Sequence, residues 1–423
     1  MKILLKKKAL SKNKANSKKR ILYVESNVDG TVGGSYFSLL FLIEGLNKNN
    51  YEPIVAFYHN NYLIPRYEKA GCKIFLINKH QPLDIFWKFP ALRKISKVLP
   101  AILMAVPLKI IQKIINFFLT FFFPLFNCLL ILRKEKIDLV HLNNTLRRPH
   151  EWILASILNN TKIIAHERGI NNYFSTQEIF LAHYLSAIVC ISDAVRNNLL
   201  GKGFSEKKLF RIYNALDPNK FLIHKKKEEV LKEFQVANGQ PLIGIVGNIK
   251  EWKGQETVIR ALKYVRSDYP DIRCLIIGDA SNSDQYYLDH LKTIVTNEGF
   301  KDVVIFTGPR RDVSDIVNCL AILIHASIEP EPFGRALLEG MALKKPIIST
   351  RIGAPLEIVI DGITGILVSP GNPEEMAVAI QKLLADHHLM EEMGKAGYER
   401  LLNEFGLRKN IELTESLYST VLS

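Results

Sequence analysis

The chain has 423 residues, 48% hydrophobic and 23% charged, which provides for two ordinary domains and excludes a disordered or disulfide-stapled miniature. Its five cysteines stand singly with no C-x-x-C pair, arguing against a zinc ribbon or disulfide framework and suiting a reducing cytoplasm. The formal charge of +14 is uneven: residues 1–220 hold 33 Lys+Arg against 14 Asp+Glu, net +19, and residues 221–423 hold 23 against 28, net −5.

The first twenty residues carry nine Lys/Arg and no acid. Their apolar runs are too short for a signal-peptide core, so 1–20 reads as a flexible basic tail. From Ile21 apolar runs alternate with Gly-containing loops and helical stretches: Ile21–Val24, Ile54–Tyr58, Ile74–Ile77, Leu139–Leu142, Lys162–Ala165 and Ile188–Ile191. The alternation restarts at Leu242–Val246 and continues through Cys274–Ile277, Val303–Phe306, Ala321–Ile324, Pro346–Ser349 and Gly365–Val368. This β-α-β pattern predicts an α/β protein of two doubly wound, Rossmann-like domains with parallel sheets. The boundary falls in Asn214–Glu228, giving domains at 21–217 and 218–404. A terminal helix over 405–423 is expected to pack back on the N-terminal domain.

One segment interrupts the alternation. Residues 92–132 contain no acid, and Ile114–Leu132 runs nineteen residues without a charge. A spanning helix is one reading, but a single crossing would put strands of one sheet on opposite sides of a membrane. A segment in the interface plane keeps the sheet whole, with Phe117, Phe118, Phe121 and Phe122 inserted and Lys109 and Lys113 toward anionic headgroups. Core-facing helices are the ordinary alternative. Nucleic acid is not expected, because no interleaved aromatic and basic module occurs.

The most specific spacing is Glu331-Pro332-Phe333-Gly334 followed by Glu339. Two carboxylates eight positions apart flank a turn that opens a helix, roughly 12 Å along its axis. That span suits the sugar and ribose ends of a nucleotide-diphosphate sugar, with the helix N-terminus facing the diphosphate; a helix cap and a solvated acid would be the plain alternative. Gly30-Thr31-Val32-Gly33-Gly34-Ser35 joins the first strand to its helix and permits close approach of an anion, or is merely a structural turn. His166 closes a strand, where a doubly wound sheet places its ligands.

With these motifs the chain resembles the retaining glycosyltransferases of family 4, which have the GT-B fold of two domains facing across a cleft. The resemblance covers most of 21–400 and is densest over Ile324–Val368, where His325-Ala326-Ser327, the Glu331 and Glu339 pair, Gly353-Ala354-Pro355-Leu356-Glu357 and Asp361-Gly362 follow in order. It implies that Glu331 binds donor-sugar hydroxyls, that Glu339 binds the ribose, and that Phe333 and Gly334 belong to the donor site. Val246-Gly247-Asn248 through Lys253 matches the start of the donor domain. Lys253 takes the position of a diphosphate-binding lysine, while Asn248 stands where the family has arginine. Either Asn248 donates neutral hydrogen bonds, or Arg310, Arg311 or Arg335 compensates. Gly33 and Gly34 would face the donor phosphates, and His166 takes the position of the family's active-site histidine.

The resemblance therefore implies an acceptor domain at 21–217 and a donor domain at 218–404. The expected activity is retaining, metal-independent transfer of a hexose-type sugar from a UDP- or GDP-sugar substrate to a lipid-linked or membrane-anchored glycan. No cofactor is expected, and no two aspartates stand two apart as a D-x-D metal motif requires. The expected place is the cytoplasmic face of the plasma membrane, peripherally bound. A nucleotide-sugar epimerase, a phosphorylase or an inactive membrane-binding subunit would share much of this pattern.

Overall fold

The computed structural model describes residues 18–27, 32–77, 110–147 and 149–423. Seven parallel strands form the first sheet: β1 (Lys19–Glu25), β2 (Tyr51–Phe57), β3 (Lys73–Leu76), β4 (Leu139–Leu142), β5 (Lys162–Glu167), β6 (Ala187–Cys190) and β7 (Leu209–Arg211). Their order is β3-β2-β1-β4-β5-β6-β7. Six more form the second: β8 (Leu242–Val246), β9 (Arg273–Ile277), β10 (Val304–Gly308), β11 (Ile322–His325), β12 (Ile347–Thr350) and β13 (Ile366–Val368), in the order β10-β9-β8-β11-β12-β13. Each sheet is wound outward from its first strand in both directions. The topological switch points therefore lie between β1 and β4 and between β8 and β11, where a doubly wound sheet opens its ligand crevice.

The strands are apolar on both faces because helices cover both. On β5, Ile163 and Ala165 join a core that extends to Phe333, Leu337 and Phe405 of the second domain. Ile164 on the opposite face joins Tyr23, Leu39 and Tyr418. The last element, the helix Leu407–Leu422, thus closes the first domain's core. Tyr418 donates to Tyr23 at 3.1 Å and lies 2.6 Å from His141 Nδ1.

The short strand β7 has no counterpart among the apolar runs, because Leu-Phe-Arg sits beside Lys207 and Lys208 and carries no recognisable alternation. In the acid-free segment, 92–109 lies outside the described residues, and Lys109 with it. The rest is one helix, Ile110–Lys134. Pro124, Cys128 and Leu132, four apart, face the core. A π-helical turn, Phe118–Phe122, leads into Pro124. Phe117, Phe118 and Phe122 are exposed, as is Lys113, whereas Phe121 is half-buried, 5.4 Å from the Phe117 ring. By length and composition this helix could cross a membrane, and 11% of its most apolar stretch is buried.

Candidate active site

Loops from both switch points converge on one interdomain cleft of about 710 Å³, ample for a nucleotide sugar. From the second domain, the loop after β8 brings Asn248 and Lys253, and the loop after β11 brings His325, Glu331 and Gly334. Glu331 is held by backbone pairing with Gly353, and its carbonyl accepts from the Ala354 N–H at 2.9 Å. Its carboxylate takes Lys253 Nζ at 2.5 Å and Ser327 Oγ at 2.9 Å, with His325 Nε2 3.5 Å away. Burial acts to raise the Glu331 carboxyl, but His325 and Lys253 overcome it and hold it at about 2. The group is thus an anion at any working pH, aimed at the cleft.

Gly334 follows, in the left-handed region at φ +89°, and opens the helix Arg335–Ala342. A Cβ there would lie 3.2 Å from His325 Nε2, so the turn that aligns Glu331 with the helix needs glycine. Phe333 lines the cleft from beneath and packs between Tyr213 and Phe405, each 6.2 Å between ring centroids. Glu339 is also on the wall and pairs with Arg335 at 3.2 Å. Burial raises its carboxyl, against the pull of Arg335. Of the three arginines considered beside Asn248, Arg335 alone is on this wall. Arg310 is forked onto Asp312 at 2.8 and 2.7 Å and bonded to Glu233, and Arg311 is exposed elsewhere.

The first domain supplies Gly34, Ser35 and Ser38 from the start of the helix Gly34–Gly45, together with Asn144, Arg168 and Asn214. Gly33 is that helix's exposed N-cap, just outside the wall, and Gly30 and Thr31 lie outside the described residues. His166 departs from expectation. It lies on the Ile164 face of β5, under the terminal helix, 5% exposed and stacked on His141 at 5.5 Å and 8°. Burial, Arg168 and His141 all push its basicity well down, and its Nε2 has no hydrogen-bond partner among the described residues. The chain lines the cleft two residues later, at Arg168, whose Nη2 is 3.5 Å from His166 Nδ1. Strand alternation was the available signal: His166 shares the parity of the core residue Ile164.

A second cavity, about 530 Å³, adjoins the first through Asn144 and Arg168. Glu167 is buried in its floor, and burial lifts the carboxyl to about 7 despite donors from Thr145 Oγ1 at 3.0 Å and Asn171 Nδ2 at 3.2 Å. The domains are tied beside the cleft. Glu357 accepts the backbone N–H groups of Asp193 and Ala194 at 2.7 Å each, capping a first-domain helix, and Ser192 Oγ donates to the Pro332 carbonyl at 2.7 Å.

Two parallel, doubly wound sheets whose switch points share one cleft, lined by a buried Lys–Glu pair, define a protein of the GT-B class. Glycosyltransferase from Rickettsia africae has the same fold, with a TM-score of 0.76 at 22% identity over 96% of this chain and 99% of that one. So does HepE of Anabaena, crystallised with UDP and glucose, at 0.73 and 21% over 95% and 100%. Residues 226–400 match the family model of glycosyl transferases group 1. Among curated relatives, the capsular polysaccharide biosynthesis glycosyltransferase CapM of Staphylococcus aureus is 26% identical over 246 residues, 56% of this chain and 62% of that protein. N-acetyl-alpha-D-glucosaminyl L-malate synthase of Bacillus anthracis is 23% identical over 307 residues, 69% and 77%. The matched stretch thus spans about three fifths of the Staphylococcus protein's length.

Proposed function

We propose that the chain is a retaining glycosyltransferase that moves a hexose from a nucleoside diphosphate donor to a lipid-linked or membrane-anchored glycan, working without a metal. The observation that carries the reading is the Lys253–Glu331 pair beside the helix Arg335–Ala342, on the donor side of the cleft. Glu331, an anion with fixed partners, accepts hydrogen bonds from sugar hydroxyls, and Lys253 and the cleft's positive groups stabilise the departing phosphate. The acceptor oxygen bonds to the anomeric carbon as the anomeric C–O bond breaks. The electron pair stays on the β-phosphate oxygen, which takes the acceptor's proton, so no protein nucleophile enters.

The membrane part of the reading, docking at the cytoplasmic face, rests on the helix Ile110–Lys134, whose exposed phenylalanines Phe117, Phe118, Phe122, Phe123 and Phe126 follow Lys113. The test of the activity is release of nucleoside diphosphate from a panel of UDP- and GDP-hexoses in the presence of membrane extract, with the anomeric configuration of the product read by NMR. No release from any donor sinks the reading, and an inverted product removes retention. Replacing Phe117, Phe118, Phe121 and Phe122 by Ser is expected to move the folded protein to the soluble fraction; a folded variant still on membranes overturns the docking.

A further inference from the structure

The cleft gathers positive groups that its own carboxylates do not neutralise. Arg168 makes four hydrogen bonds there: Nε to the Asn143 carbonyl at 2.7 Å, Nη1 to Asn214 Oδ1 at 2.5 Å, and Nη2 to Asn143 Oδ1 at 3.0 Å and to His166 Nδ1 at 3.5 Å. Every acceptor is neutral, an amide or the imidazole of His166, and among the described residues no carboxylate lies within ion-pair distance. A guanidinium withdrawn from water onto neutral partners has lost hydration without gaining a counter-charge. Burial accordingly pushes it down to about 10, Glu25 and Tyr67 act against that, and the charge of Arg335 adds to it.

Arg335 approaches the same space from the other domain. It lies against the first turn of the helix Gly34–Gly45, so closely that a Cβ on Gly34 would be 3.0 Å from its Nη1. That helix begins with no side-chain cap, so its first N–H groups and the positive end of its dipole point where Arg335 sits. Two guanidiniums and a helix N-terminus thus meet from opposite sides. Across the wall Asn248 is neutral, and Lys253 is bonded to Glu331. Glu339, the partner of Arg335, is itself made reluctant to ionise by burial. Such an arrangement suits an anion of more than one charge.

We propose that Arg168 and Arg335 clamp the diphosphate of the nucleotide donor from the two domains, supplying the charge that Asn248 does not. The proposal rests on the donor reading above. On binding, the diphosphate takes the remaining Nη1 N–H of Arg168 and draws Arg335 from Glu339, which is thereby freed for hydroxyl groups of the donor.

The test is calorimetric titration of the full chain with UDP, GDP, UMP and GMP. Arg335 is largely exposed, so Arg335→Gln is expected to fold normally and to bind the favoured diphosphate at least ~10-fold more weakly, with the matching monophosphate changed less than ~3-fold. Arg168→Gln should do the same where its melting curve stays cooperative, and Asn248→Arg in the Arg335→Gln background should restore most of the affinity by returning the charge to the wall. Wild-type diphosphate affinity in Arg335→Gln overturns the clamp, as does an equal loss for monophosphate and diphosphate. A wild-type chain that binds neither diphosphate would instead overturn the donor reading itself, and the clamp with it.

Discussion

On the second-domain side of the cleft Lys253 ends 2.5 Å from Glu331, while on the first-domain side Arg168 meets only neutral groups, the amides of Asn143 and Asn214 and the imidazole of His166. Both sheets have the same winding, but Lys253 and Glu331 follow β8 and β11, which flank the second sheet's switch point, whereas Arg168 follows β5, one strand beyond the first sheet's. The second domain is complete in its own charges and pre-aligned: opposite charges fix each other at a position that a substrate finds ready. The first domain holds a charge in place by dipoles alone, and its energy changes most when an anion arrives. A cleft can therefore have one wall that is rigid without ligand and one that becomes stable only with it.

Four experiments would break or sharpen that contrast. The largest effect is expected at the paired wall. Glu331→Gln and Lys253→Met should each lower turnover by about 100-fold or more. Lys253→Met should also cost about 3 kcal/mol by taking from a buried carboxylate its lysine counter-charge, most of it recovered in the double variant. Additive losses in that double-mutant cycle would mean the two walls do not differ in this way.

Next is Glu167, in the floor of the first-domain cavity. Its carboxyl is raised from 4.5 to about 7 in the fold. The stability it allows is therefore complete below pH 4.5 and is lost as pH rises toward 7. The melting temperature of Glu167→Gln relative to wild type should climb between pH 5 and pH 8, by the equivalent of about 2 kcal/mol. His141 and His166 are present in both proteins and cancel in the difference. A flat difference would show that Glu167 is not desolvated.

Gly334→Ala should then cost about 1–2 kcal/mol, because its φ of +89° and the nearby His325 both disfavour a Cβ. Chemical denaturation checks this, and an unchanged midpoint would mean that the turn aligning Glu331 is not strained. The smallest effect is expected from Tyr418→Phe, about 1 kcal/mol, from bonds to His141 and Tyr23 that tie the last helix to the first sheet. Wild-type stability in that variant would make the hydroxyl incidental to the join.

The contrast between walls also explains what could be read from residues alone. Glu331 and Glu339 stood out because the helix spacing between two carboxylates is itself a signal, whereas Lys253 was picked out by its match to a family position. Twelve strands were visible as apolar runs, while β7 was hidden by its lysines. The first-domain wall was hard to read because its members come from separate loops and carry no spacing. Arg168 acts through Asn143 and Asn214, and Arg335 through Gly34, each far away along the chain. His166 was assigned from its place at a strand end, yet strand parity turns it inward. Phe121 shows the same limit on the helix Ile110–Lys134, where neighbouring phenylalanines differ in exposure because a π-helical turn resets the face.

The terminal helix Leu407–Leu422 gives the molecule an order of assembly. Strand β7 ends at Arg211, so more than two hundred further residues must leave the ribosome before Leu417 and Tyr418 can cover the face of the sheet that carries Tyr23 and His141. At about 5–20 residues per second, that is an interval on the order of ten to forty seconds. The domain translated first is thus the last to be finished. During that interval its Tyr-and-His face stays open for a chaperone to hold, and an early stop in the message would damage the amino-terminal half of the protein while leaving the code for that half untouched.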